Sequence, residues 1–304
     1  MRNKKIIKKT VSICIPAYNE YPNLLRLLSE IPKQNSKYFT LDQILILSDN
    51  SSDETVTSPI LQKAKKVKLI IGKTQLGKPR RVNQAFKLCK SEIVIVMDAD
   101  IKFENTQVLD SLVRPIVLGD ADYTSGVTAA KRPTNLVSRI AFSGVKIWRR
   151  ALTYLSSPNL YQSEGMLRAF DSRIYTKMRF PIAAQIEDTY PYLYALKHGY
   201  RFVFVPDAKV AYQLPTTLHD YLSQQRRYLS THDLESHYFP ANLILQSRTM
   251  QTSYRLRALI SVLIETPIES TLYLILSIYV RLSLRLFPNQ ASNTWEILSS
   301  TKTV

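Results

Sequence analysis

Residues 11–15 form a short β-branched apolar run that stops at Pro16, and Leu24, Leu25, Leu27 and Leu28 then fall on one face of residues 21–31. That is the pattern of a strand followed by an amphipathic helix. It repeats. Residues 43–47 are apolar, 48–53 form a polar turn, 54–65 suit a helix and 67–71 the next strand. A helix over 78–90 then leads into 92–97, Glu-Ile-Val-Ile-Val-Met, which lacks alternation as a strand covered on both faces would. Successive βα units predict a parallel sheet. Further on, the pattern gives a strand at 123–128, a long helix at 136–155, a helix at 189–197 closed by Gly199, a strand at 201–205 and a helix at 217–230. Ligands of open parallel sheets bind beyond the carboxyl ends of strands. Tyr18, Glu20, Asp49, Asp98 and Asp100 are therefore expected to converge on one crevice.

The pattern changes near the end. Residues 258–264 and 271–280 are apolar, with Glu265, Pro267 and Glu269 between them. A membrane span needs about 20 apolar residues, and charges at its middle are costly, so two interfacial segments are expected. Arg281 and Arg285 lie beside Leu282, Leu284, Leu286 and Phe287, as in a helix lying on a bilayer or one packed on the rest of the chain. Helix 136–155 poses the same choice: Leu136, Ile140, Trp148, Leu152 and Leu155 are apolar, and Arg139, Arg149 and Arg150 are basic. The expected organisation is a basic tail at 1–10, an α/β domain at 11–240, and a C-terminal amphipathic helical appendage at 241–304 that associates with a membrane.

Composition narrows the partners. The formal net charge of +17 predicts attraction to something anionic. The basic residues are scattered and match no DNA or RNA motif, so no nucleic-acid partner is expected. Cys14 and Cys89 are the only cysteines, which fits free thiols in a reducing compartment. The start carries Arg2, Lys4, Lys5, Lys8 and Lys9, but the apolar run after it is interrupted by Pro16 and Asn19, unlike a signal peptide. It reads as a solvated tail or as a contact with anionic lipid.

Several residues can carry chemistry. Asp98 and Asp100, one residue apart at a strand end, can point into the same crevice and hold a hard divalent cation such as Mg²⁺ or Mn²⁺. Such a cation suits a nucleoside diphosphate leaving group. Residues 72–79, Gly-Lys-Thr-Gln-Leu-Gly-Lys-Pro, mimic a phosphate-binding loop, but Pro79 lacks the hydroxyl and N–H that loop requires. An ATPase is thereby excluded, and Lys78 is either a surface lysine or a point charge for a phosphate. Asp188 opens a predicted helix, as an N-cap or as a general base for an acceptor hydroxyl. Gln224, Arg227 and Tyr228 share a helix face able to reach a diphosphate, or belong to an ordinary basic helix. His219, His232 and His237 have no zinc spacing.

Taken in order, Pro16-Ala-Tyr18-Asn-Glu20, Asp49 to Asp53, Gly77-Lys78 with Asn83, Asp98-Ala-Asp100, Glu187-Asp188 and Gln224-x-x-Arg227-Tyr228 resemble the family-2 glycosyltransferases of the GT-A fold. The stretch from Asp188 to Tyr228 is similar to the membrane-associated branch of cellulose- and hyaluronan-synthase-like enzymes. The resemblance implies an inverting transfer from a nucleotide-sugar donor, with UDP the family's commonest nucleotide, to a lipid-linked or glycan acceptor at the cytoplasmic face of a membrane. It implies that Pro16, Tyr18, Glu20 and Asp49 surround base and ribose, and that Lys78 lies near the nucleotide. Asp98 would touch nucleotide or metal and Asp100 the metal, Asp188 would be the base, and Glu187, Gln224, Arg227 and Tyr228 would lie along acceptor and diphosphate. Tyr228 stands where tryptophan is usual, and the chain lacks the multiple spans of a polysaccharide exporter. A sugar-phosphate nucleotidyltransferase would instead show a glycine-rich opening loop, and none of the seven glycines clusters after the first strand.

Overall fold

The computed structural model describes residues 7–155, 159–181, 187–229, 234–286 and 299–301. Arg2, Lys4, Lys5, His232, Asp233 and Phe287 lie outside them. Backbone contacts divide the chain into two units, Met1–Ala129 with Gln162–Ala211, and Ala130–Tyr161 with Tyr212–Val304. The strands are β1 (Lys9–Ala17), β2 (Phe39–Ser48), β3 (Val67–Ile71), β4 (Ile93–Met97), β5 (Ile101–Phe103), β6 (Tyr123–Ala130), β7 (Leu167–Asp171) and β8 (Phe202–Tyr212). The helices are α1 (Tyr21–Glu30), α2 (Pro59–Lys63), α3 (Lys78–Leu88), α4 (Val108–Leu118), α5 (Leu136–Leu152), α6 (Ser172–Tyr175), α7 (Tyr190–Lys197), α8 (Leu218–Leu229), α9 (Ala241–Ser247), α10 (Thr252–Glu265) and α11 (Pro267–Leu286).

One sheet of order β3-β2-β1-β4-β7-β6-β8-β5 organises the first unit. Its β3-β2-β1-β4 half is parallel, and β7 joins it antiparallel to both β4 and β6. Alternation along the strands fills two cores. Ile13, Ile15, Ile44, Ile46, Ile93 and Ile95 pack under α1 and α4, whereas Cys14, Leu45, Leu47, Val94 and Val96 pack under α3 and α7. This two-sided burial is why 92–97 shows no polar alternation. The leucine stripe of α1 works as its period predicts: Leu24 and Leu27 are fully buried, each contributing about 1.5–3 kcal/mol. Cys14 and Cys89 are free, with their sulfurs 3.6 Å apart in the second core.

Two expected elements change length. The helix expected at 54–65 shrinks to α2, because Pro59 forces Ser58 into an extended conformation (ψ 118°) and the helix can only start after it. The strand expected at 201–205 runs on through Pro206 to Tyr212, with Ala208 and Val210 buried and Asp207 and Lys209 exposed. Gly199 closes α7 as expected, at φ 72°, while Tyr200 N–H bonds back to the Ala195 carbonyl.

In the second unit α5 begins with a capping box of Asn135 and Ser138. Its inward face carries Ile140 and Ala141, packed with Tyr221 of α8 and Leu272, Tyr273 and Leu276 of α11. Its basic residues pair with the glutamates that interrupt the C-terminal apolar run. Arg139 Nε lies 3.2 Å from Glu269, Lys146 Nζ lies 2.7 Å from Glu265, and Arg150 also pairs with Glu265. Packing therefore accounts for Arg139 and Arg150 of that basic face. Trp148 is exposed, with its ring edge-on to Tyr161 at 5.1 Å. Leu136 of α5, Leu218 of α8 and Leu245 of α9 are exposed, and the last two helices add a longer row: Leu256, Ile260 and Ile264 on α10, and Ile268, Ile275, Tyr279, Leu282 and Leu286 on α11. Among the described residues no helix is long and apolar enough to cross a membrane.

Candidate active site

Because β1, β2 and β4 are parallel and in register, their ends at Ala17, Ser48 and Met97 fall along one edge of the sheet. Strand β7 starts at the same edge, with Leu167 opposite Met97. The segments leaving this edge carry Tyr18 and Glu20 after β1, Asp49 after β2, Asp98 and Asp100 after β4, and Glu164 and Gly165 just before β7. Pro16, within β1, is buried opposite Leu47. The loop at 18–20 is tied to the loop at 48–53: Asn19 N–H bonds to Ser51 Oγ at 3.1 Å, and Tyr21 N–H to Asp53 Oδ2 at 3.1 Å.

Asp49 is fully buried, and its two oxygens hold the loop that resembles a phosphate-binding loop. Oδ1 accepts from Leu76 N–H at 2.8 Å and from Arg81 Nε at 2.7 Å, and Oδ2 accepts from Gly77 N–H at 2.8 Å. Arg81 also donates to the Thr74 carbonyl at 2.7 Å. Two backbone amides that an NTPase loop would offer to phosphate are thus occupied by a carboxylate of the chain itself. The loop is a rigid lead-in to α3, and it delivers Lys78.

Lys78 is the hub. Its ammonium lies 2.6 Å from Asp98 Oδ1 and 2.9 Å from Glu187 Oε2, and donates a long bond of 3.4 Å to the Gly165 carbonyl. Gly165 in turn abuts Asp188 so closely that a Cβ there would collide with the Asp188 carboxylate. Asp188 remains exposed. Its backbone carbonyl accepts from Ser163 Oγ at 3.0 Å, and Ser163 shares a 2.7 Å hydrogen bond with the buried Tyr123 hydroxyl. Glu187 also pairs with Arg168, a fully buried arginine on β7.

Asp100 is pushed up to about 7, by burial first and then by the neighbouring charges of Asp98 and Glu20. Asp98 and Asp100 thus offer hard carboxylate oxygens in a place short of positive charge, with Lys78 the cation acting against it, a donor chemistry that fits a divalent metal. No group of three or more His, Cys, Asp or Glu among the described residues is arranged to hold a metal without help. Magnesium-type sites commonly use one or two carboxylates and complete the shell with substrate phosphates and water. The residues present fit that pattern.

Residues expected from sequence at this edge, namely Pro16, Tyr18, Glu20, Asp49, Lys78, Asp98, Asp100, Glu187 and Asp188, all belong to the first unit. Gln224, Arg227 and Tyr228 lie on α8 of the second unit, where the Arg227 guanidinium sits 5.7 Å from the Tyr228 ring centre. Sequence reading passed over Arg81, Gly165 and Arg168. Arg81 carried a usable signal, one helical turn past a lysine in a proline-started helix. Gly165 and Arg168 carried none, since their roles depend on Asp188 and Glu187, about twenty residues away.

An α/β sheet with acidic residues and a lysine gathered beyond its parallel strand ends is the arrangement that the resemblance to GT-A transferases led us to expect. Residues 12–171, just over half of the chain, match the model of glycosyl transferase family 2, and the chain belongs to that family. A dolichol-phosphate mannosyltransferase of Mycosarcoma maydis is 30% identical over 158 residues, 48% of this chain and 53% of the relative. The match thus spans about half of that relative's length. Among solved structures, the mannosyltransferase PcManGT of Pyrobaculum calidifontis, in complex with GDP-Man and Mn²⁺, has a TM-score of 0.56 at 16% identity, covering 92% of this chain and 76% of the other. Glucosyl-3-phosphoglycerate synthase of Mycobacterium tuberculosis, in complex with Mn²⁺, UDP and glucosyl-3-phosphoglycerate, has a TM-score of 0.51 at 18% identity, covering 73% and 78%. At these identities the likeness is one of fold.

Proposed function

We propose that this glycosyltransferase moves a hexose from a nucleotide-diphosphate sugar, a UDP-sugar in the first instance, to the hydroxyl of a lipid-linked or glycan acceptor at an anionic membrane surface, with inversion at the anomeric carbon. The observation that carries the proposal is the Lys78 ammonium set between Asp98 and Glu187 and next to the carbonyl of Gly165, a glycine whose open Cβ position faces the Asp188 carboxylate. It supports a donor end and a base end within one cluster.

In this reading Asp98 and Asp100 hold a divalent cation, which when bound neutralises charge on the departing nucleoside diphosphate. Lys78 releases Asp98 and turns to a phosphate oxygen. Pro16, Tyr18 and Glu20 flank the base and ribose, while Asp49 keeps the loop before Lys78 in shape. Asp188, exposed and held by its backbone, removes the proton of the acceptor hydroxyl as the new bond forms. The roles proposed for Gln224, Arg227 and Tyr228 along acceptor and diphosphate rest on their motif. The dolichol-phosphate relative and the GDP-Man complex make GDP-mannose the first alternative donor.

The membrane part of the proposal rests on the outward apolar rows of α10 and α11, with Arg257, Arg281 and Arg285 exposed beside them. Apolar residues entering the headgroup boundary with arginines at their margin suit an anionic bilayer.

The test is a panel of UDP- and GDP-sugars with lipid extract as acceptor, with Mn²⁺ or with a chelator. Release of nucleoside diphosphate and a new glycolipid, both dependent on Mn²⁺, is the expected result. Equal turnover in the chelator would remove the metal from the account, and no turnover with any donor would remove the activity.

A further inference from the structure

Arg168 is an odd residue to find at the centre of a sheet. It is fully buried on β7, and its Nε–H has no hydrogen-bond partner among the described residues. A buried guanidinium is seldom kept for stability, because an apolar side chain of similar size commonly serves as well. What it does hold is specific. Nη1 donates to the Glu187 backbone carbonyl at 2.8 Å, Nη2 pairs with Glu187 Oε1, and the guanidinium lies 5.8 Å from the Phe180 ring centre. The other Glu187 oxygen, Oε2, takes Lys78. A line of alternating charge therefore runs from Arg168 through Glu187 and Lys78 to Asp98. The next peptide unit is held as well, through the Asp188 carbonyl bonded to Ser163.

We propose that Arg168 is a positioning residue: through Glu187 it fixes the backbone that presents Asp188 and, by the same carboxylate, keeps that backbone in register with Lys78 and Asp98. The inference rests on Asp188 being the base, and it gives Glu187 a bridging role instead of contact with acceptor or diphosphate. Its physical content is coupling. The two ends of the reaction are kept in register by one buried fork, since a guanidinium can grip a carbonyl and a carboxylate together and an ammonium cannot match that geometry. A base displaced by about 1 Å can cost about 10²-fold in rate.

The experiment compares Arg168→Met, Arg168→Lys, Glu187→Gln, the Arg168→Met/Glu187→Gln double variant and Asp188→Asn in the full chain. Turnover is read as nucleoside diphosphate released from UDP-glucose and GDP-mannose with Mn²⁺, binding as the Kd for UDP and GDP with Mn²⁺, and folding as Tm. We expect Arg168→Met to lower kcat by about 10²-fold with the nucleotide Kd within about threefold of the parent. Arg168→Lys should recover part of the loss, and the double variant should be no slower than Arg168→Met, because both changes cut one connection. A kcat within about threefold of the parent in Arg168→Met, beside an inactive Asp188→Asn, overturns the inference and leaves the base in place. Parallel losses of kcat, Kd and Tm in Arg168→Met, Arg168→Lys and Glu187→Gln reduce Arg168 to a structural part and overturn it too. Full turnover by Asp188→Asn removes the base itself, and the inference with it.

Discussion

In the first unit the charges that matter are turned inward, Asp49 onto Arg81 and Glu187 onto Arg168 and Lys78, while isoleucine, leucine and valine fill both faces of the sheet. In the second, α10 and α11 turn Glu265 and Glu269 toward cations of α5 and leave isoleucines and leucines facing out. The same residue types are thus used with opposite orientation. A buried ion pair is costly to make and more costly to break, so it fits where geometry must be held. Partly exposed ion pairs contribute little to stability, and here they link α10 and α11 to α5 while apolar residues of both helices face outward.

The largest effect should come from the inward charges. Asp100→Ala should abolish Mn²⁺-dependent nucleotide binding measured by calorimetry while Tm changes little; unaltered binding would move the metal elsewhere. Gly165→Ala should follow, with turnover lower by about 10²-fold, because the added methyl must push Asp188 aside. Normal turnover would mean that the Asp188 position is not critical.

Core packing comes next. Leu24→Ala, at a fully buried position, should cost about 2–5 kcal/mol in urea unfolding. Ile264→Ser, at an exposed one, should stay within about 0.5 kcal/mol. The triple change Ile264→Ser/Ile275→Ser/Leu282→Ser should instead weaken sedimentation with anionic phosphatidylglycerol vesicles by at least about tenfold. If stability falls and vesicle binding does not, the outward rows are covered by protein and the contrast between the units is lost.

The smallest expected effect is on acid sensitivity. Burial acts to raise the Asp171 carboxyl, but hydrogen bonds from Arg173 and Lys9 outweigh it and hold it below the ordinary carboxylate range. A lowered folded-state pKa contributes stability that is complete at neutral pH and is lost as pH falls through and below that range. Asp171→Asn should therefore flatten the loss of stability between about pH 5 and pH 2. An unchanged acid profile would show that Lys9 and Arg173 contribute nothing there.

How much of this could be read in the chain depends on where each signal lay. The parallel half of the sheet was legible because 11–15, 43–47, 67–71 and 92–97 are compact, mostly apolar runs, each with a single polar residue (Ser12, Gln43, Lys68 and Glu92), and the strand ends then pointed to Glu20, Asp49, Asp98 and Asp100. Strand β7 was not legible, since Arg168 and Asp171 interrupt its hydropathy, and their partners are distant in sequence. That strand turns the parallel sheet antiparallel and carries the arginine that grips Glu187. The second unit was hidden for a related reason: residues 130–161 and 212–304 join through pairs such as Arg139 with Glu269, and composition along the chain registers no such pairing. The interrupting glutamates were read only as costly in a bilayer, and their partners on α5 emerge in the fold.

The most direct test of the central claim is an anomalous difference map from crystals grown with Mn²⁺ and UDP or GDP. A manganese peak shared by Asp98 and Asp100, with the Lys78 ammonium moved from Asp98 onto the diphosphate and Asp188 facing the open side of the cluster, is the result predicted. A peak away from both aspartates, with Lys78 still bridging Asp98 and Glu187 beside bound nucleotide, would contradict it.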